Sequence, residues 1–182
     1  MGYSRNFGFR SFENIIRDAR FRVPADAPDG GYMIGTAVAV DDATPGYFRV
    51  AGAGEAPTPL CGIVLYEHIL GAQGVDPNLT TTSDPPFNMA PAGRYAQMIH
   101  GPGTKVWFRN TADRPMYDGR MLAGIDIVDL GDDGAGNPAL AVGDFLTPAA
   151  DGTWAIGALA TGWLVVEQFN PTSGLVEARF RF

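Results

Sequence analysis

Tyr32-Met33-Ile34-Gly35-Thr36-Ala37-Val38-Ala39-Val40 is followed by Asp41-Asp42-Ala43-Thr44-Pro45-Gly46 and then by Tyr47-Phe48-Arg49-Val50. Apolar runs of this length, rich in Val, Ile, Tyr and Phe and bounded by Gly, Pro and Asp, predict strands joined by a turn. After a Gly/Pro-rich connection, Leu60-Cys61-Gly62-Ile63-Val64-Leu65-Tyr66-Glu67-His68 predicts a third strand. The pattern returns near the C-terminal end. Gly143–Leu146, the turn Ala150-Asp151-Gly152 and Thr153–Ile156 lead into Gly162-Trp163-Leu164-Val165-Val166-Glu167. A Gly, four apolar residues and a Glu close both units. The echo has two readings: a chance likeness between two hairpins, or a module near 31–70 used again near 140–169 in one barrel-like body.

The totals fit a turn-dense all-β protein. The chain has 182 residues, 46% hydrophobic and 18% charged, with 24 Gly and 14 Pro that punctuate apolar runs instead of forming one tract. That length predicts one domain able to bury roughly 70% of its unfolded surface. A single cysteine, Cys61, excludes an intrachain disulfide framework. No apolar run is long enough to cross a membrane as a helix, and no apolar signal-peptide core is expected at the start. Asn6 stands where a myristoylation signal needs Ser or Thr.

Charge is unevenly placed. Residues 1–25 hold Arg5, Arg10, Arg17, Arg20 and Arg22 against Glu13 and Asp18, a net +3 in a chain of −7, which leaves −10 for the remainder. A basic arm on an acidic body suggests different partners for each. The acidic body speaks against direct nucleic-acid binding, which needs many phosphate-neutralising cations on one surface. The arm is also aromatic, with Tyr3, Phe7, Phe9, Phe12 and Phe21. From Ser11 to Ala19 an N-cap and the spacing of Phe12, Ile15, Ile16 and Ala19 predict a short helix. Such a helix is marginal alone, so it docks, either on its own body or on a neighbouring subunit. Pro24 to Gly30 reads as the hinge, which makes residues 1–30 arm and hinge and 31–182 a single β-rich domain.

Further along, residues 71–92 lose periodicity and predict a surface excursion with Phe87 and Met89 as possible anchors. Tyr95–His100 and Thr104–Arg109 flank Gly101-Pro102-Gly103 and predict a hairpin over 93–110. Alternation places Val106 and Phe108 on one face and Lys105, Trp107 and Arg109 on the other. Trp107 then stacks on its cations or meets a partner. A strand is expected over 121–130, an exposed turn over 131–138, and a terminal strand over 175–182. In that last strand Val176, Ala178, Phe180 and Phe182 share one face, which pairs at home or with a neighbour.

Chemistry is hard to place. Cys61 and His68 on one continuous strand would lie on opposite faces about 23 Å apart, too far for a nucleophile and its base. His68 and His100 have no partners at zinc-ligand spacing. Asp126, Asp129, Asp132 and Asp133 lack EF-hand spacing, and glycine turns account for the last two. Gly52-Ala53-Gly54 opens no helix and precedes Glu55, which would repel phosphate. No Gly-x-Ser-x-Gly elbow occurs and no glycosidase carboxylate pair stands out. The expectation is no catalytic residues, no metal and no cofactor.

The strings Ile34–Val40, Gly46–Val50 and Cys61–Leu65 resemble the head decoration (capsid cement, or minor capsid) proteins of tailed bacteriophages, over about a third of the chain, with Tyr95–Arg109 a looser second match. The resemblance implies a β-tulip or barrel-like fold and no enzymatic activity. It implies a virion location on the outer surface of the capsid, with the major capsid protein as partner and homotrimers at threefold positions. The arm of residues 1–24 departs from simpler members. It supplies the candidate contact residues Tyr3, Arg5, Phe7, Phe9, Arg10 and Phe12. A tail or baseplate structural protein is the nearest alternative. A secreted carbohydrate-binding β-domain using Trp107, Trp154 and Trp163 is the alternative from another class.

Overall fold

A computed structural model describes residues 7–9, 16–33, 35–65, 89–109 and 127–182. Within these the chain is β throughout, apart from one 3-10 turn at Pro28–Gly30. The strands are β1 (Phe7–Phe9), β2 (Ile16–Arg22), β3 (Gly31–Met33), β4 (Ala37–Val40), β5 (Phe48–Val50), β6 (Cys61–Leu65) and β7 (Met89–Pro91). They continue with β8 (Tyr95–His100), β9 (Lys105–Arg109), β10 (Phe145–Pro148), β11 (Trp154–Gly157), β12 (Leu164–Asn170) and β13 (Leu175–Phe180).

Two antiparallel sheets carry the fold. One runs β2-β8-β6-β4-β5, the other β1-β9-β13-β12-β10-β11, and a small third sheet pairs β3 with β7. Taken in chain order, the five strands of the first sheet are arranged first, fifth, fourth, second, third. Strands β9 to β13 repeat that order in the second sheet. The two sheets therefore share one five-strand topology. The repeated string itself does not superpose: Gly62 lies inside β6 opposite Val38, whereas Gly162 precedes β12. Gly62 answers to a close approach, because a Cβ there would run into the Ile99 carbonyl oxygen and come within 2.7 Å of Met98 Cγ.

The first sheet nearly closes into a barrel. Its outer strands meet where Arg22 bridges Tyr47 in parallel and the Arg22 amide donates to the Gly46 carbonyl at 2.8 Å. Alternation along its strands makes two cores. Val38, Phe48, Val64, Ala96 and Met98 fill the barrel together with Val23 and Tyr32. Ala37, Ala39, Cys61, Ile63 and Ile99 join Val106, Phe108, Leu146, Trp154, Trp163, Leu164, Val176 and Phe180 of the second sheet in a larger core. Strands buried on both faces read as continuous apolar runs, which is why Ala37–Val40 and residues 61–64 stand out in the sequence. Each fully buried large aliphatic or aromatic side chain contributes about 1.5–3 kcal/mol. Two indoles tie the sheets by directed bonds as well: Trp154 Nε1 donates to the Gly35 carbonyl at 2.8 Å and Trp163 Nε1 to the Glu55 carbonyl at 2.7 Å.

Several expectations change. The single strand over 32–40 is broken between Met33 and Ala37; Gly35 sits at φ +102°, its amide donates to Val64, and its carbonyl takes the Trp154 indole. Tyr95–His100 and Lys105–Arg109 do not pair with each other. Instead β8 lies between β2 and β6 while β9 lies between β1 and β13, so Gly101-Pro102-Gly103 is a corner between sheets. β8 has apolar side chains for both of its faces, Met98 for the barrel and Ile99 for the larger core, and so is held inside the first sheet. Of the helix expected over 11–19, residues 11–15 lie outside the described residues and 16–19 run as strand in β2, paired with β8. Of the excursion expected over 71–92, residues 71–88 lie outside the described residues, whereas Met89–Pro91 form β7 and pair with β3. Of the strand expected over 121–130, residues 121–126 lie outside them and 127–130 contribute a single bridge, Val128 with Trp154. His68 also lies outside the described residues.

Candidate functional site

Residues 7–9 form β1 on the far edge of the second sheet, in register Phe7 with Phe108, Gly8 with Trp107 and Phe9 with Val106. Tyr3, Arg5, Arg10 and Phe12 lie outside the described residues. The two parts of the arm differ in how they are held. β2 is part of the barrel wall: the Phe21 ring meets Phe48 at 5.3 Å, and Val23 is fully buried. Val23 also donates its amide to the Arg94 carbonyl at 2.9 Å and accepts from Gly93 at 2.9 Å. Residues 16–23 are thus structural, so this part of the arm expected over 1–24 is committed to the barrel.

Next to β1, the outer face of the second sheet carries an ionic cluster that alternation alone does not reveal. Lys105 on β9 and Arg179 on β13 stand directly opposite each other, two cations that repel. The register between β12 and β13 shifts between Val166 and Gln168, a bulge at Glu167. A bulge re-aims one side chain, here the carboxylate that neutralises both cations. Lys105 Nζ meets Glu167 Oε2 at 2.6 Å and Arg179 Nε donates to Oε1 at 2.6 Å. The hydrogen bond from Lys105, and then that from Arg179, hold the Glu167 carboxyl below its ordinary range. Trp107 is half-buried beside this cluster, opposite Glu177 on one side and Gly8 on the other.

At the far end of the same face Arg181 lies over the Phe145 ring, 4.7 Å from its centroid, and donates to the carbonyls of Leu159 and Gly162 at 2.6 and 2.7 Å. Leu159 and Val142 are among the exposed large apolar residues. A second clasp lies at the barrel seam, where Arg22 covers the exposed Tyr95 ring at 4.4 Å.

No protein-family model matches this chain, and no curated protein matches it. The arrangement of its groups therefore carries the functional reading. Several polar groups among the described residues that sequence could offer for chemistry are committed to structure. Cys61 is fully buried, with its sulfur bonded to Thr58 at 2.9 and 3.0 Å, and burial pushes its thiol above the ordinary value. Asp132 accepts from the Gly134 amide at 2.6 Å, and Asp133 accepts from Ala135 at 2.7 Å and from Asn137. These carboxylates shape the glycine turn. Glu55 takes a two-point bond from Arg49, 2.8 Å at each oxygen, and the Gly52 amide at 2.7 Å. Among the described residues no group of three His, Cys, Asp or Glu side chains could hold a metal.

The tryptophans divide. Trp154 and Trp163 are fully buried, so neither offers a platform to a sugar, and Trp107 alone of the three reaches a surface. The terminal strand is equally committed. Val176 and Phe180 are fully buried in β13, which lies between β9 and β12, so they form core and not an exposed edge.

Proposed function

We propose that this protein is a structural virion component that decorates and stabilises an icosahedral phage capsid by bridging subunits of the major capsid protein. The observation that carries the reading is the division of the N-terminal segment: a stave locked in the barrel, then a short outer strand laid on a sheet edge by backbone register. Backbone pairing at an edge is a general way to join chains, because it asks little of sequence. The committed carboxylates, the buried cysteine and the buried indoles agree with a protein that works by contact. The likeness to decoration proteins supplies the partner, the outer capsid surface as location, and assembly as homotrimers.

Cementing has a simple physical form. A protein that binds only the assembled lattice stabilises it relative to separated subunits by mass action. Repeated weak contacts on one symmetric shell add through avidity. Particles made without this protein should release DNA at lower temperature, and under milder osmotic shock, than complete particles. Replacing Arg5, Phe7, Phe9 and Arg10 by alanine should shift release in the same direction and leave the barrel folded by circular dichroism. Equal release temperatures for complete and deficient particles would remove the cementing role.

A further inference from the structure

The shared strand order makes one difference between the sheets informative. In the first, the first and third strands return to each other at Arg22 and Tyr47 and seal the sheet. In the second, the equivalent strands β9 and β11 are sealed separately. β11 is covered at Trp154, whose amide donates to Ile127 at 2.8 Å and whose carbonyl accepts from Asp129 at 2.6 Å. β9 is covered by β1, brought from the other end of the chain. The edge of β9 is thus a seam left open in its own unit and filled by a strand from outside that unit.

Among the described residues, β1 pairs with Val106, Trp107 and Phe108, three of the five residues of β9. Six residues, 10–15, join β1 to the locked stave β2. A strand held this way can be traded between identical chains without losing a hydrogen bond, since each copy offers the same edge and the same strand. Local concentration then decides which copy's strand sits where.

We propose that the β9 edge is a strand-acceptor site, filled by the chain's own β1 in the isolated protein and by β1 of a second copy when copies stand side by side. The proposal rests on the assembly reading above and names the contact between copies. The vacated edge never stays bare, which avoids the usual liability of an unpaired strand.

Register gives the test. Single variants Gly8→Cys and Trp107→Cys, each in a Cys61→Ala background, are mixed as intact chains, concentrated or added to capsids, and oxidised. Exchange yields a covalent heterodimer, which the Gly8→Cys and Glu177→Cys mixture, whose cysteines lie in the same row but are separated by the whole width of β9, does not give. A benzophenone amino acid at Phe7 of a tagged intact chain, mixed with untagged chain that keeps Trp107, should label the 105–109 peptide of the untagged chain. Absence of both products, with the double Gly8→Cys/Trp107→Cys variant closing only within itself, would overturn the proposal. Cosedimentation with capsids is scored separately. A chain that binds capsids without forming heterodimers overturns exchange and leaves cementing intact, whereas heterodimers from a chain that never binds capsids support exchange and remove cementing.

Discussion

Glu167→Gln tests whether the bulge in β12 exists to place a charge. The amide keeps the size of the carboxylate but loses both ion pairs and leaves Lys105 facing Arg179. The side chains of Lys105 and Arg179 are 50% and 43% exposed, so each lost pair costs at most about 0.5–1 kcal/mol after solvent screening. The uncovered repulsion adds a few tenths of a kcal/mol. The expected loss is about 1–2 kcal/mol at low salt, or about 3–6 °C in Tm for a chain of this size. In about 1 M salt, where the screening length falls to about 3 Å, the gap should shrink by half or more. Lys105→Gln in the Glu167→Gln background should regain stability, because the repulsion goes with it; in the wild-type background it should cost stability.

The pH dependence has a definite sign. The folded carboxyl lies below its ordinary value, so its contribution is present above the unfolded value, about 4.3, and fades as pH falls through the folded one. Wild type and Glu167→Gln should therefore converge in acid. Urea titrations at several pH and salt values measure all of this. A constant difference across pH, or a Lys105→Gln change that adds simply to Glu167→Gln, would refute the account of the cluster.

Trp154→Phe should be costlier, by about 3 kcal/mol, because it leaves the buried Gly35 carbonyl without its indole and opens space beside Phe108 and Trp163; a lowered urea midpoint with unchanged slope would show it. Removing residues 1–15 should leave a folded barrel by circular dichroism, whereas removing 1–24 takes away β2 with Phe21 and Val23 and should leave the chain largely insoluble.

What the sequence discloses follows from how local each cause is. Period-two alternation over 105–109 and 175–180 is a property of the strand itself, and Val106, Phe108, Val176 and Phe180 are buried as alternation requires. Pairing is another matter. The Gly-Pro-Gly turn after His100 has the chemistry of a hairpin, yet the partners of β8 are β2 and β6, set by the two apolar faces of β8 and not by the turn. Ile16 and Ala19 fit helical spacing as readily as strand, and pairing with β8 decides between them. The pairing at the sheet edge is legible only in part. Phe7 and Phe9 were marked by composition, but Gly8 opposite Trp107 and the bulged Glu167 are visible only once register is known. Arg22 looked like one cation among five; the seam gives it a place.

The strand order also sets a timetable for the ribosome. β2 is made early, yet its partner β8 begins about seventy residues later, and β1 waits nearly a hundred residues for β9. Closing such distant pairs is slow compared with making a hairpin. Until β9 leaves the exit tunnel, every nascent copy trails an outer strand with nowhere of its own to go. The other neighbour of β9 is β13, the last strand to be made, so the outer strand meets a completed sheet edge only as synthesis ends.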